Sequence, residues 1–421
     1  MNLGLISIIA LLIAIIIGFT RNTNVGILCI AFAMVLGNIF GISSKDIIAG
    51  FSASLFIQMV GITFLFGIIK ANGTLELIAK KMVGLVGSRV HLIPVMFFII
   101  GCVLSGVGPG SIPCLAIIPV LAIPVAVSAG LNPIMVAIIG DLGAMATRMS
   151  PLTPEGSVVS ELMTEQGISG NTLPLMFSLF LTSLLMAVLV FVYYKGWKVD
   201  ENAAGLHEEL PALTAGNWLS ILSLIVLAVG VLFLGWNAGL TGFLCGAVLI
   251  VLGFGDEKAA LRNIPWGVIF MILGVGILMN IVSISGGIDI MVSAMEAIMG
   301  KKTAAMIIGV LAGIMSFFSS GLGVVFPTLI PTAGGLASGI GANAVELCAS
   351  IVIGGTIAGF TPMSTTGALI MAGVAQQEDA ETRFPQNRLF IELFAVSFIG
   401  LALLALLAIM GVYGITIHLG A

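Results

Sequence analysis

Long apolar runs cover most of the chain. Eight of them are long enough to cross a bilayer as single helices, which takes about 20 apolar residues. These runs lie at about 3–20, 24–42, 52–70, 172–194, 217–235, 238–254, 265–284 and 389–416. Two further regions, about 91–165 and 303–378, are equally apolar but are cut by Gly, Pro, Ser or Thr every few residues. Because such residues interrupt helices, the two regions predict discontinuous membrane segments.

The order of these features repeats between the two halves of the chain. Three pairs of segments match: 70–77 with 283–290, 105–108 with 320–323, and 130–156 with 341–367. The longest pair aligns without gaps and matches Asn132 with Asn343 and Pro151 with Pro362. Agreement of Gly, Pro and Asn in the same order predicts a duplicated fold.

Each half is predicted to contain three spans, a short amphipathic segment, a broken hairpin, a broken helix and a last span. The amphipathic segments are TLELIAKKMVGLVG and IDIMVSAMEAIMG, whose apolar spacing suits helices at the membrane surface. If the hairpin enters and leaves on one side, each half crosses an odd number of times and the halves are inverted. We expect an all-α integral membrane protein with about 10 crossings. It consists of a first inverted repeat (1–194), a cytoplasmic linker (195–216) and a second inverted repeat (217–421).

The positive charges predict the orientation, since Lys and Arg concentrate on the inner side of a membrane. With the N-terminus outside, eleven of them fall in inner segments: Arg21, Lys70, Lys80, Lys81, Arg89, Lys195, Lys198, Lys258, Arg262, Arg383 and Arg388. Only Lys45, Lys301 and Lys302 fall in outer segments, and Arg148 lies at membrane depth. We therefore expect both termini outside, in a multi-pass protein of the cell inner (plasma) membrane.

Composition excludes most other classes of protein. The chain is 59% hydrophobic and 8% charged, with a mean hydropathy of +1.23, whereas soluble domains carry about 25% charged residues. The net charge of −4 and the lack of a basic arm give no sign of a nucleic-acid partner. The five cysteines lie singly in apolar runs, which predicts neither disulfides nor a zinc site. No nucleophile–base set or phosphate loop is visible, so an enzyme is not expected.

Four irregular points interrupt the apolar pattern at membrane depth. We call residues 104–113 the first tip, 318–327 the second tip, 148–156 the first break and 360–367 the second break. Irregular backbone inside a membrane is tolerated only where protein buries it or where it lines a watery cavity. Transporters with inverted repeats place their substrate and coupling cations at such points. The four points therefore predict one binding site near the middle of the membrane.

Hydroxyl, glycine and proline residues at these points have the chemistry that such a site needs. Glycines let backbone approach a ligand, hydroxyls bind carboxylate or Na⁺, and prolines leave helix carbonyls free. The predicted substrate-binding residues are Ser105, Gly106, Gly108, Ser111, Arg148, Ser150, Thr153, Ser319, Ser320, Gly321, Thr361, Ser364, Thr365 and Thr366. The Na⁺ candidates are Ser105, Gly106, Ser150, Thr153, Glu155, Ser320, Gly321, Thr361 and Ser364.

Charged residues at membrane depth are costly, and each needs an explanation. Arg148 either faces the substrate anion or forms a structural pair with Asp141, Glu155 or Glu346. Glu155 is a proton-coupling site, a cation ligand or the partner of Arg148. Asp141 stands where the second half has Val352, which makes it a local addition to the repeat.

The pattern of hairpin, broken helix and inverted repeat resembles the divalent anion/sodium symporter fold of the ion transporter superfamily. The breaks SPLTPEG and TPMSTTGA most resemble MatC-type malonate/dicarboxylate carriers, and the resemblance covers essentially the whole chain. It implies a homodimer and elevator-type alternating access. The scaffold would comprise spans 3–70 and 217–284, and the transport domain 91–194 and 303–418. The tips SGVG and SSGLG lack the Asn and Thr of the Ser-Asn-Thr motifs in sodium-coupled members, so those amide contacts are not carried over.

These features together predict a secondary active transporter of a small dicarboxylate, malonate or a C4 acid, coupled to Na⁺. The expected partners are a small organic dianion, membrane lipid and a second copy of the chain, with no cofactor besides Na⁺. The alternatives are a proton-coupled or exchange-type organic anion transporter, and a Na⁺/H⁺ antiporter of the same superfamily. The antiporter would need a titrating carboxylate in the site, for which Asp141, Glu155 and Glu346 are available.

Overall fold

The computed structural model describes residues 2–21, 23–84, 89–197, 212–362, 364–375 and 385–418. The helices of the first half are α1 (Leu3–Thr20), α2 (Val25–Phe40), α3 (Ser44–Ile48), α4 (Ala53–Ala71), α5 (Thr74–Gly84), α6 (Ile93–Gly106), α7 (Ser111–Ser128), α8 (Pro133–Ala146), α9 (Pro154–Glu165) and α10 (Leu173–Tyr193). Those of the second half are α11 (Ala215–Leu234), α12 (Ala238–Val251), α13 (Glu257–Asn263), α14 (Trp266–Ile284), α15 (Gly287–Glu296), α16 (Ala304–Phe318), α17 (Phe326–Ile340), α18 (Ala344–Ile357), α19 (Thr365–Ala375), α20 (Gln386–Ile409) and α21 (Val412–Thr416). The described residues contain no strand, and the prediction of an all-α protein is confirmed.

Seven helices are long and apolar enough to cross a membrane, within the part of the chain that the structure describes. Several helices of 10–17 residues are also apolar, among them the arms of the predicted hairpins and broken helices. Large apolar side chains are exposed on the outside of the bundle, for example Phe233 and Val251. Lipid is the environment that such a surface requires, so the chain is a multi-pass membrane protein.

The ten helices α1–α10 correspond one for one to α11–α20. The correspondence includes two short surface helices, α3 and α13, which the hydrophobic pattern did not predict because they are only 5 and 7 residues long. The last predicted span, 389–416, is divided in the structure. Helix α20 ends at Ile409, and Gly411 turns the chain into α21 with a φ of 71°. A positive φ of this size favours glycine and ends helices.

Contacts between the halves are reciprocal, as expected for a two-fold relation. Gly26 of α2 lies directly against Gly274 of α14, and Gly61 of α4 lies against Gly239 of α12. In the repeat, Gly239 is the equivalent of Gly26, and Gly274 is the equivalent of Gly61. A Cβ atom at any of the four positions would overlap backbone of the facing helix, so the missing side chains permit the close approach.

Hydrogen bonds show that the halves run in opposite directions. The hydroxyl of Ser7, near the start of α1, contacts the Ser285 hydroxyl just after α14 at 2.8 Å. Asn72, just after α4, donates to Ser220 near the start of α11 at 2.8 Å. Three spans lie between the start of α1 and the end of α4, so these two points are on opposite sides. The start of α11 is therefore on the side opposite to the start of α1. Which side faces the cell interior stays a prediction, as does the division into scaffold and transport domains.

Each hairpin returns to the side from which it entered. Thr147, just after α8, donates to the carbonyl of Cys102 near the end of α6 at 2.8 Å. Ser316 near the end of α16 likewise donates to the carbonyl of Gly355 near the end of α18 at 2.9 Å. Both pairs of helices thus run parallel, which requires α7 and α17 to bring the chain back. The two tips therefore end inside the bundle, beside the two breaks.

Candidate functional site

A cavity of about 500 Å³ lies where the two tips and the two breaks meet. Seven of the predicted substrate residues line it: Ser111, Arg148, Ser319, Ser320, Gly321, Ser364 and Thr366. Further lining residues come from the turn between α1 and α2 and from Met271 of α14. The fold thus brings together segments that lie far apart in sequence.

The first tip holds a carboxylate of the protein itself. The Ser111 N–H, at the start of α7, donates to Glu155 Oε2 at 2.8 Å, and the Ser111 hydroxyl donates to Oε1 at 2.6 Å. The unpaired N–H groups of a helix N-terminus favour an anion at this place. Gly110 precedes the helix with a φ of 74°, and a Cβ atom there would overlap the Glu155 carboxylate. Glycine at position 110 therefore satisfies both the backbone angle and the space that the carboxylate needs.

Arg148 links the first break to the second half of the protein. Its Nη2 donates to Glu155 Oε1 at 3.1 Å, and its Nη1 donates to the Thr356 hydroxyl at 3.2 Å. The guanidinium carbon lies 5.7 Å from the ring centroid of Phe326, within cation–π range. The Nε atom has no hydrogen-bond partner among the described residues. Of the alternatives that the sequence left open, Arg148 pairs with Glu155 and also lines the cavity.

At each break, a hydroxyl residue at an equivalent position hydrogen-bonds to backbone groups on both sides of it. Thr153 accepts from the Gly156 N–H at 3.0 Å and donates to the Arg148 carbonyl at 2.6 Å, which caps the start of α9. Ser364, its repeat equivalent, accepts from the Gly367 N–H at 3.1 Å and donates to the Thr361 carbonyl at 2.7 Å. These bonds satisfy the free helix ends at both breaks.

The second tip presents hydroxyl oxygens to the cavity. Ser320 accepts from the Gly323 N–H at 3.0 Å and so begins a short π-helix, Gly321–Val325. Ser319 donates to the Met315 carbonyl at 2.7 Å, and Ser316 donates to the Gly355 carbonyl. Since Ser316 and Ser319 already donate their protons to carbonyls, they offer the cavity only oxygen lone pairs. Such oxygens suit a cation better than an anion.

Several predicted site residues lie outside the cavity. They are Ser105, Gly106, Gly108, Ser150, Thr153, Glu155 and Thr361. Gly106 faces Thr147 and Gly108 faces the ring of Phe66, so both allow close helix packing. Ser150 accepts from the Leu152 N–H within the first break. The side chain of Thr365 falls outside the described residues.

Two predicted ligands are fully buried. Ser105 and Thr361 are 0% exposed, and neither hydroxyl has a hydrogen-bond partner within the described ranges. The structure does not bring them to the cavity wall.

Some cavity residues were missed by the sequence analysis. Thr356 lies in the last turn of α18, before the second break, Ser316 lies just before the second tip, and Asn24 caps α2. Proximity to a break was an available signal for Thr356 and Ser316. For Asn24 the sequence shows only a helix cap, and its place on the cavity wall depends on how α2 packs against α14.

Comparisons with known proteins agree with this architecture. Residues 1–148, which run from α1 to the first break, match the family described as the N-terminus of dicarboxylate carrier protein MatC. No curated protein matches the sequence significantly. The crystal structure of the YdaH transporter from Alcanivorax borkumensis is similar over 98% of both chains, with a TM-score of 0.66 and 13% sequence identity, a level at which the likeness concerns the fold alone. The resemblance to MatC-type carriers is thus confirmed over residues 1–148, and this match with a carrier family supports a membrane transporter.

Proposed function

We propose that the protein is a secondary active transporter of small dicarboxylates, malonate or a C4 acid, and that the cavity is its substrate site. The observation that carries the proposal is the binding of the Glu155 carboxylate by a helix N-terminus, a serine hydroxyl and the Arg148 guanidinium. These three kinds of donor recognise carboxylates generally. The match of residues 1–148 to dicarboxylate carriers supports the same class of substrate.

Arg148 is the residue best placed to bind one substrate carboxylate. Its Nη1 contacts Thr356, whose side chain lines the cavity, at 3.2 Å. A substrate carboxylate that replaces Thr356 as acceptor would place an anion opposite the guanidinium, and such a pair of ionised groups binds more strongly than a guanidinium and a neutral hydroxyl. The volume of about 500 Å³ lies within the range of about 300–1,000 Å³ found for small-molecule sites.

The charge of the site favours coupling to a cation. Arg148 and Glu155 neutralise each other, so a dianion in the cavity needs further positive charge. The hydroxyl oxygens of Ser319 at the second tip and of Ser316 just before it offer lone pairs to a cation. Na⁺ bound there would lie next to the anion and balance part of its charge. We therefore propose Na⁺ as the coupling ion.

Alternating access would require the tips and breaks to move against the first three spans of each half. The cavity reaches the turn between α1 and α2, on the predicted inner side. On the other side, the Ser52 hydroxyl at the start of α4 donates to Glu161 of α9. This hydrogen bond holds α4, in the proposed scaffold, against α9, in the proposed transport domain. An elevator movement would break this contact to open the outer side. A homodimer in the inner membrane, with the first helices of each half as scaffold, is the arrangement we propose.

Reconstitution tests the proposal directly. The purified protein in proteoliposomes should take up labelled malonate or succinate when an inward Na⁺ gradient is imposed, and much less when choline replaces Na⁺. Acetate should compete poorly, since it has one carboxylate. Absence of uptake of either dicarboxylate under any Na⁺ or proton gradient would overturn the proposal. Exchange of Na⁺ for protons without any organic anion would instead identify an ion antiporter.

A further inference from the structure

Asp141 is a buried carboxyl group that the proposed substrate site does not use. It lies in α8 and is 0% exposed, and neither of its oxygens has a hydrogen-bond partner among the residues that the structure describes. An ionised carboxylate without partners is strongly disfavoured in such surroundings. Asp141 is therefore expected to carry a proton in this conformation, as a neutral acid.

The carboxyl group is not required for packing in this fold. Its repeat equivalent, Val352 of α18, is also 0% exposed and packs without any polar group. The two halves thus contain a natural comparison at the same place in the fold. Since an apolar side chain serves the second half, the acid in the first half calls for a chemical explanation.

Asp141 lies close to the cavity through two neighbours. Met145, one helical turn further along α8, lines the cavity. Gly140, next to Asp141 in α8, lies against Ile118 of α7. Leu115, one turn from Ile118 on α7, also lines the cavity. A shift of α7 or α8 during transport would thus change the surroundings of Asp141 together with those of the substrate.

The helices packed against α8 bring no cation to Asp141. These helices are α6, α7, α10, α18 and α19. Their titratable residues are Cys102, Cys114, Tyr193, Glu346 and Cys348, and none of these helices contains Lys or Arg. The nearest cation along the chain is Arg148, which is held by Glu155. A proton is therefore the only positive charge that these elements leave available to Asp141.

We propose that Asp141 is a proton-binding site through which a proton moves together with the substrate. The inference rests on the proposed dicarboxylate transport and adds a second coupling ion to Na⁺. Asp141 holds the proton while the carboxyl group is buried as observed, and it exchanges the proton with water when transport exposes α8. The neutral acid lets this part of the protein move through the membrane without an uncompensated charge.

Infrared spectroscopy tests the proton on Asp141 without any substrate. The difference spectrum between the wild-type protein and Asp141→Asn, both in lipid at neutral pH, should contain the carbonyl band of a protonated carboxyl group. The matched control is Asp289→Asn, because Asp289 is exposed on α15 and should give no such band. Absence of the band for Asp141 overturns the inference, whatever the protein transports.

Proton movement is then measured in proteoliposomes that contain a trapped pH-sensitive dye. Wild-type protein should move protons with labelled malonate or succinate, and Asp141→Asn should lose this proton movement while Na⁺-driven uptake continues. Asp141→Val, which copies the second half, should behave in the same way and guards against a defect particular to Asn. Unchanged proton movement in both variants overturns the role of Asp141 and leaves the proposed dicarboxylate transport standing. Absence of dicarboxylate uptake by the wild-type protein overturns the proposed function and the coupling with it.

Discussion

Removal of either partner of the Arg148–Glu155 ion pair should destabilise the protein strongly. The two side chains are 7% and 2% exposed, so a charge left alone has little water around it. Breaking a buried pair from one side costs about 3–5 kcal/mol. Glu155→Gln also turns one acceptor oxygen into an NH₂ group in contact with the donors of Ser111, whereas Arg148→Gln leaves both Ser111 bonds intact. We expect a loss of unfolding free energy of about 4 kcal/mol for Glu155→Gln and about 3 kcal/mol for Arg148→Gln.

The double variant distinguishes a buried pair from two independent contributions. It buries no unpaired charge, so its loss should be smaller than the sum of the single losses by at least about 2 kcal/mol. The measurement is the unfolding free energy in mixed micelles, from reversible unfolding with a denaturing detergent. Arg388 and Glu392 provide the comparison pair: the Glu392 side chain is 9% exposed but that of Arg388 is 75% exposed, so water screens the pair and the coupling should be much weaker. Additive losses at Arg148 and Glu155 would refute the reasoning.

Three further changes test other parts of the site and fold. Gly110→Ala should reduce both stability and dicarboxylate uptake, because its Cβ atom would displace Glu155. Gly73, which has a similar φ of 73° but open space around it, provides the control: Gly73→Ala should lose only about 1–2 kcal/mol of unfolding free energy and retain uptake. Ser319→Ala should raise the Na⁺ concentration needed for half-maximal uptake several-fold. The control is Ser338→Ala, which removes a similar hydroxyl-to-carbonyl bond far from the cavity and should leave that Na⁺ concentration unchanged. Equal values for the two variants would argue against a cation at the second tip. Gly61→Ala should lower the unfolding free energy by about 1–3 kcal/mol through contact with the α12 backbone, and an unchanged value would contradict the close helix approach.

Much of the architecture follows from the sequence because a bilayer imposes simple constraints. Apolar run lengths predicted the spans to within a few residues, except where Gly411 divides the last one. The repeat, the tips and the breaks were visible because Gly and Pro must stand where helices stop. The short helices α3 and α13 were missed because their stability comes from packing and capping at the surface, which leaves no long apolar period.

The tips and breaks could be predicted as a site, but their individual residues could not. Thr153 and Ser364 occupy equivalent positions and make equivalent capping bonds, yet only Ser364 lines the cavity. Ser105 and Ser320 match in the repeat, and only Ser320 reaches the cavity. Composition at a break predicts that polar groups will be there, whereas the angle between the half-helices decides which of them face the ligand.

The sequence by itself determined that this is a membrane protein of two related halves, with four irregular points at membrane depth. It left the partner of Arg148 open, since Asp141 and Glu155 lie equally far from it along the chain. Along a continuous helix that spacing corresponds to about 10 Å, which is beyond the reach of a direct ion pair. The first break removes this limit for Glu155 but not for Asp141. Helix α9 starts in a new direction after the break and carries Glu155 back to the start of α7. Only the tertiary structure could therefore pair Arg148 with Glu155 and leave Asp141 buried alone.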